Sequence, residues 1–293
     1  MQTKPYGNTG LEVSILGLGA GQIGADSLDE ASVSKLLNAA LDLGVTLIDT
    51  ARGYGLSEAR IGRHLAHRRA EFALSTKVGY GIPGQQDWTA GAIEAGVDEA
   101  LRRLQTDHID IVHLHSCELQ TLQAGDVVDA LARARQAGKV GAVAYSGENE
   151  ALAWAIASSR FGGVECSVNL FDQASLGTSL ALAVERGLGV IAKRSLGNAP
   201  WRCVERPVGD YCETYWDRMH LLGYDTAGVP WDEFALRFSA HLPQVSCAIV
   251  GTSSIEHLRR NVAVAEKGPL AAEVVAAVRQ RFAALGSGWR GEI

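Results

Sequence analysis

The chain has 293 residues, 47% hydrophobic and 20% charged, which is enough apolar material for a sizeable buried core and too much for a disordered chain. Its net charge is −6 and no run of Lys or Arg forms a basic stripe, which argues against nucleic acid or an acidic membrane as a partner. No stretch of about 18 apolar residues is present, so no membrane span is expected.

In chain order, Met1 to Pro5 lack the apolar core of a signal peptide. Residues 2–11 carry Gly7-Asn8-Thr9-Gly10, a turn signal between short extended pieces, which predicts an N-terminal β-hairpin. Residues 13–19 read as a buried strand. Residues 26–44 read as a helix with Val33, Leu36, Leu37, Ala40 and Leu41 on one face, Asp29 and Glu30 in its first turn and Gly44 as its stop. The alternation then repeats. Strands are expected at 45–49, 72–77, 109–115, 141–146, 163–168, 189–194 and 246–250. Helices are expected at 57–67, 91–104, 123–137, 149–159, 176–186, 231–241 and 255–265. Eight strand–helix units imply parallel strands with crossover helices, and about 250 residues is the size of a closed (β/α)8 TIM barrel. An open doubly wound sheet is the alternative. The hairpin would plug one barrel end, and residues 271–285 would add a C-terminal helix. No domain boundary is visible, so residues 1–293 are read as one barrel domain. The segment 197–230 is too long for an ordinary connection. It holds Trp201, Tyr211, Tyr215, Trp216 and Tyr224, and is either a substrate lid or a loop packed by its own aromatics. Cys117, Cys166, Cys203, Cys212 and Cys247 are odd in number, widely spaced and without a CxxC pair, so reduced thiols and a cytoplasmic location are expected.

Barrel active sites lie at the C-terminal ends of the strands. Asp49 ends the second strand, Tyr54 follows it, Lys77 ends the third and His115 the fourth. Adjacent strands would gather a carboxylate, a phenol, an ammonium and an imidazole at one face. A free tyrosine has a pKa of about 10, and a neighbouring Lys⁺ favours its phenolate. Asp49 would hold Lys77, His115 would orient a substrate carbonyl, and Tyr54 would serve as general acid. Singly, each has a plain reading: helix cap, loop packing, surface charge, core histidine.

These residues carry a family resemblance. Asp49-Thr50-Ala51-Arg52-Gly53-Tyr54-Gly55 resembles the aldo-keto reductase signature D-T-A-x-x-Y-G, continued by Ser57-Glu58, Ile61-Gly62 and Leu65. Ser75 to Gly79 resembles the family's lysine motif, and Asp107 to His115 the strand that ends in its histidine. The resemblance implies a barrel that moves hydride with NADP and no metal, acting on a carbonyl, alcohol or sugar. It implies Asp49, Tyr54, Lys77 and His115 as the catalytic tetrad. Gly19, Ala20, Gly21, Gln22 and Asp49 would face the nicotinamide, with Ser146, Gly147 and Asn169 near its amide. Lys193, Ser195, Leu196 and Gly197 would run under the pyrophosphate. Gly251, Thr252, Ser253, His257 and Asn261 would hold the adenosine end at a helix N-terminus.

Three positions depart from the family pattern. Glu165 stands where many members have a glutamine on the nicotinamide amide, so its role differs or it has turned away. Lys193 stands where many have an aromatic, and would contact phosphate or pair with Glu165. His257 replaces an arginine, which leaves NAD as the alternative to NADP. Two rival readings remain. His113-Leu114-His115 is an HxH pair that could bind metal, but the later strands end in Ser146, Val168, Arg194 and Val250, which are not further ligands. A cofactor-sensing subunit of a larger assembly would keep the barrel but turn over little.

Overall fold

The computed structural model describes residues 1–293. Two short strands come first, β1 (Thr3–Pro5) and β2 (Glu12–Ser14), paired antiparallel with Lys4 opposite Val13. The next eight strands are β3 (Leu16–Gly19), β4 (Leu47–Asp49), β5 (Ala73–Val78), β6 (Ile109–His115), β7 (Val140–Ser146), β8 (Gly163–Ser167), β9 (Gly189–Lys193) and β10 (Cys247–Gly251). They are parallel and hydrogen-bonded in sequence order, and β10 pairs with β3 to close the barrel. The strands are apolar and short because both faces are covered, by the barrel interior on one side and by helices on the other.

The helices are α1 (Glu30–Asp42), α2 (Ser57–Leu65), α3 (Ala90–Leu104), α4 (Leu119–Ala124), α5 (Asp126–Gln136), α6 (Asn149–Ala157), α7 (Thr178–Glu185), α8 (Glu213–Leu222), α9 (Trp231–Ala240), α10 (Ile255–Glu266) and α11 (Ala272–Leu285). Local chemistry sets several ends. Asp29 caps α1 by accepting from the Ser32 amide at 2.9 Å, and Thr89 caps α3 by accepting from the Ala92 amide at 3.2 Å.

Three expectations change. The strand expected at 13–19 is divided at Ile15, because its first part belongs to the hairpin and its second to the barrel. At that corner the Ser14 hydroxyl donates to the Leu16 carbonyl at 2.6 Å. The helix expected at 123–137 is two helices, broken at Gly125, whose φ of +93° turns the chain between them. The 197–230 segment contains α8, which buries Tyr215 and Leu222. Of its five aromatics, Tyr215 and Trp216 lie on this helix and Trp201, Tyr211 and Tyr224 outside it.

The hairpin closes the N-terminal end of the barrel. Tyr6 is fully buried there, and a Cβ at Gly163 or Gly189 would lie 2.0 Å and 2.3 Å from its ring or hydroxyl atoms. The Lys4 ammonium donates to the carbonyls of Ala240, Leu242 and Val245 at 3.3, 3.1 and 2.8 Å. With this end closed, the C-terminal ends of the strands form the accessible mouth. No helix is long and apolar enough to cross a membrane.

Candidate active site

The second and third barrel strands bring Asp49 and Lys77 together. The Lys77 ammonium lies 2.5 Å from the Asp49 carboxylate and 3.0 Å from the Thr50 carbonyl. Ser75, one register step back on β5, donates to the other Asp49 oxygen at 2.8 Å. Tyr54 reaches the same place from the turn after β4, with the ammonium 5.3 Å from its ring centroid. The His115 ring meets the Tyr54 ring edge-on at 6.1 Å. All four residues expected from strand ends therefore sit at one face.

Two side chains not assigned a part in this cluster join it. Tyr80, just past β5, stacks on His115 and its hydroxyl lies 2.8 Å from Nδ1. Burial, with Lys77 and Lys193 adding, pushes the His115 pKa down to about 3, so the ring is neutral. In the tautomer where Tyr80 donates to Nδ1, the ring N–H stands at Nε2. The second is Glu165 on β8, with one oxygen 3.3 Å from the Lys77 ammonium. It has neither turned away nor paired with Lys193, whose ammonium lies 3.2 Å from Glu148 instead. Lys193 precedes the bend that leaves β9, and Glu148, held by the Ser167 amide at 2.7 Å, is the carboxylate within its reach.

The charges decide the protonation states. Burial would lower the Lys77 pKa, but Asp49, Glu165 and Tyr54 more than reverse this and hold it above its ordinary range. Burial and the neighbouring Glu165 carboxylate raise Asp49 to about 6, against the pull of Lys77. Lys77 is the largest influence on Tyr54 and lowers its pKa, as its sequence position predicts. Burial and the carboxylates of Asp49 and Glu165 outweigh it, and Tyr54 is pushed up to about 12. The phenol therefore holds its proton at neutral pH.

His113 is wholly buried, 3.1 Å from the Ser75 hydroxyl, and burial pushes its pKa down to about 3. Ligand atoms of Asp49, His113 and Glu165 lie within 4.8 Å of one another. The last strand residues suggested no such third ligand, because Glu165 lies inside β8 rather than at its end. The Lys77 ammonium already sits between the two carboxylates, so a metal there would have to displace it.

From this cluster a groove of about 410 Å³ runs outward over the ends of β9 and β10. Its walls include Gly19, Gly21, Gln22, Asp49 and Tyr54 at the inner end, and Lys193, Ser195 and Leu196 in the middle. Gly251, Thr252, His257 and Asn261 line the outer end. Arg194, Arg202, Tyr211 and Asp232 also line it; of these, sequence reasoning named only Tyr211, as part of the aromatic segment, and Arg194, as a strand end, and gave neither a cofactor role. Arg260 points there too, ion-paired with Asp232 at 2.7 Å. Ser254 caps α10 by accepting from the His257 amide at 3.4 Å, so that helix begins at the groove. Ala20, Ser146, Gly147, Asn169, Gly197 and Ser253 are outside the walls. Ser146 is buried behind Glu165, 3.4 Å away, and Gly147 packs against Tyr145. The Asn169 amide nitrogen is buried without a partner.

The aromatic segment is largely self-packed. Trp201 stacks on Trp231 at 5.9 Å beside Phe171, Trp216 lies on His220 at 3.8 Å, and Tyr215 and Tyr224 also surround Phe171. Among the five aromatics only Tyr211 lines the groove. All five cysteines are free thiols, although Cys203 and Cys212 bring their sulfurs to 3.9 Å.

A sequence model of the aldo/keto reductase family matches residues 15–281. The chain belongs to that family. L-galactose dehydrogenase of Arabidopsis thaliana is 27% identical over 286 residues, spanning 90% of this chain and 88% of that protein. D-threo-aldose 1-dehydrogenase of a Pseudomonas species is 28% identical over 293 residues, spanning 86% and 89%. The holo form of an aldo-keto reductase from Bacillus halodurans superposes with a TM-score of 0.83 at 25% identity, covering 96% of each chain. The Arabidopsis and Pseudomonas relatives are dehydrogenases by name, and aldo-keto reductases generally use nicotinamide cofactors.

Proposed function

We propose that this aldo-keto reductase is an NADP-dependent enzyme that interconverts an alcohol and a carbonyl on a small sugar-like substrate, with Tyr54 as the acid–base. The observation that carries this reading is the Lys77 ammonium, held by Asp49 at 2.5 Å and set over the Tyr54 ring.

The groove fits a dinucleotide by its donor set. Glycines 19, 21 and 251 leave backbone accessible, Lys193, Arg194 and Arg202 supply cationic donors midway, and the α10 N-terminus, His257 and Arg260 lie at the outer end. The buried, unpartnered Asn169 amide stands behind the same face. When bound, the nicotinamide would give or take the hydride.

The protein's own groups handle the proton. In reduction the Tyr54 hydroxyl gives its proton to the carbonyl oxygen as the carbonyl carbon receives hydride, which completes the C–H and O–H bonds of the alcohol. Lys77 stabilises the phenolate left behind, and Asp49 keeps the ammonium in place. In oxidation the proton returns to Tyr54 as hydride leaves the carbon. Neutral His115, in the tautomer with its N–H at Nε2, would donate to the substrate oxygen and orient it. The sugar-like substrate follows from the printed activities of the two dehydrogenase relatives.

The test is oxidation of an aldose panel, L-galactose included, with NADP⁺ and with NAD⁺, alongside reduction of an aldehyde panel with NADPH. Turnover that is lost in Tyr54→Phe supports the reading. A fully active Tyr54→Phe overturns the mechanism. Tight cofactor binding without turnover on any panel favours the regulatory-subunit reading instead.

A further inference from the structure

The charge balance around Lys77 is unusual for one ammonium. Two buried carboxylates face it, Asp49 at 2.5 Å and Glu165 at 3.3 Å, each about 1% exposed. The two histidines alongside, His113 and His115, are neutral. The nearest further cation, Lys193, is matched by Glu148 at 3.2 Å. Two carboxylates thus face one ammonium at the inner end of the groove. Glu165 is the surplus: Asp49 alone suffices to hold the ammonium, with Ser75 and the Thr50 carbonyl completing that arrangement. The Glu165 oxygen nearest Lys77 also accepts no hydrogen bond, so its charge is less fully quenched than that of Asp49. Glu165 lines the groove beside Tyr54 and Gly21.

We propose that Glu165 is a specificity-determining residue whose carboxylate makes the site favour the oxidised over the reduced nicotinamide, and so draws the equilibrium on the protein toward carbonyl reduction. This rests on the dinucleotide reading given above. The oxidised ring carries a positive charge that the reduced ring lacks, and the rest of the two dinucleotides is alike. A fixed buried anion in the wall attracts only the charged ring. At protein-interior dielectric values the attraction is large because little water screens it. Glutamine at this place would fill the same volume without the charge.

The experiment is equilibrium binding of NADP⁺ and of NADPH to the wild type, Glu165→Gln and Glu165→Asp, each checked for folding by thermal unfolding. The expected result is a rise of roughly ten- to a hundredfold in the Kd ratio, NADP⁺ over NADPH, for Glu165→Gln, with Glu165→Asp staying near the wild-type ratio. A residue whose only part was to align the proton-transfer groups would leave that ratio unmoved, because neither Kd measures catalysis. An unchanged ratio in a folded Glu165→Gln that binds both forms overturns the proposal and leaves the dinucleotide reading standing. A wild type that binds neither form overturns that reading too. Should the glutamine variant not fold, Glu165→Ala carries the same expectation and the same refutation.

Discussion

The two ends of the groove use charge in opposite ways. At the inner end Asp49, Lys77, His113 and Glu165 are buried on four different strands, and every charge there alters its neighbours' protonation. At the outer end His257 and Arg260 are exposed, and Arg260 pairs with Asp232 in reach of water and salt. The inner end is thus a place where one lost group changes chemistry. The outer end is a place where one lost group changes affinity by degrees.

The strongest test of this contrast is at Lys77. Lys77→Met leaves two buried carboxylates facing each other without a cation, and stability should fall by about 3–5 kcal/mol, read by denaturant unfolding. A variant as stable as wild type would show that the inner charges are not coupled as the distances imply. Tyr54→Phe should keep the fold and lower turnover by roughly 10²- to 10⁴-fold, measured by the change in cofactor absorbance.

The same end should set the pH dependence. Oxidation needs the Tyr54 phenolate, and with its pKa pushed up to about 12 the kcat/KM for oxidation should climb with pH through the alkaline range without a plateau. Reduction needs the protonated phenol, so its kcat/KM should stay flat as pH rises from neutral into that range. A plateau of the oxidation profile near pH 8 would contradict the raised pKa. Tyr80→Phe removes one hydrogen bond to His115 Nδ1, worth about 1 kcal/mol, so kcat should drop several-fold while cofactor affinity holds.

The smallest effect belongs to the outer end. Asp232→Asn releases Arg260 from its 2.7 Å ion pair, and NADP⁺ should bind a few-fold more tightly while NAD⁺ does not change. The gain should shrink as salt is added. Equal effects on both cofactors would mean that Arg260 does not meet the 2′-phosphate.

The order of strands, the closed barrel, the N-terminal hairpin and the gathering of Asp49, Tyr54, Lys77 and His115 were all legible in the sequence. The reason is that each rests on a local rule: apolar runs of strand length, helical periodicity, turn glycines, and polar residues at consecutive strand ends. The break at Gly125 and the helix Glu213–Leu222 were not, because a single glycine and a helix rich in aromatics look alike in loops and in helices until packing selects one. The direction of the Tyr54 shift belonged to tertiary structure as well. Lys77 beside Tyr54 could be read from spacing, but burial, with Asp49 and then Glu165 from β8 adding, outweighs it, and burial and the nearness of β8 are set only across the barrel interior. Sequence alone determined which groups stand at the strand ends; only the closed barrel decided which of them share one buried volume, because electrostatic coupling depends on separation and burial and neither is local along the chain.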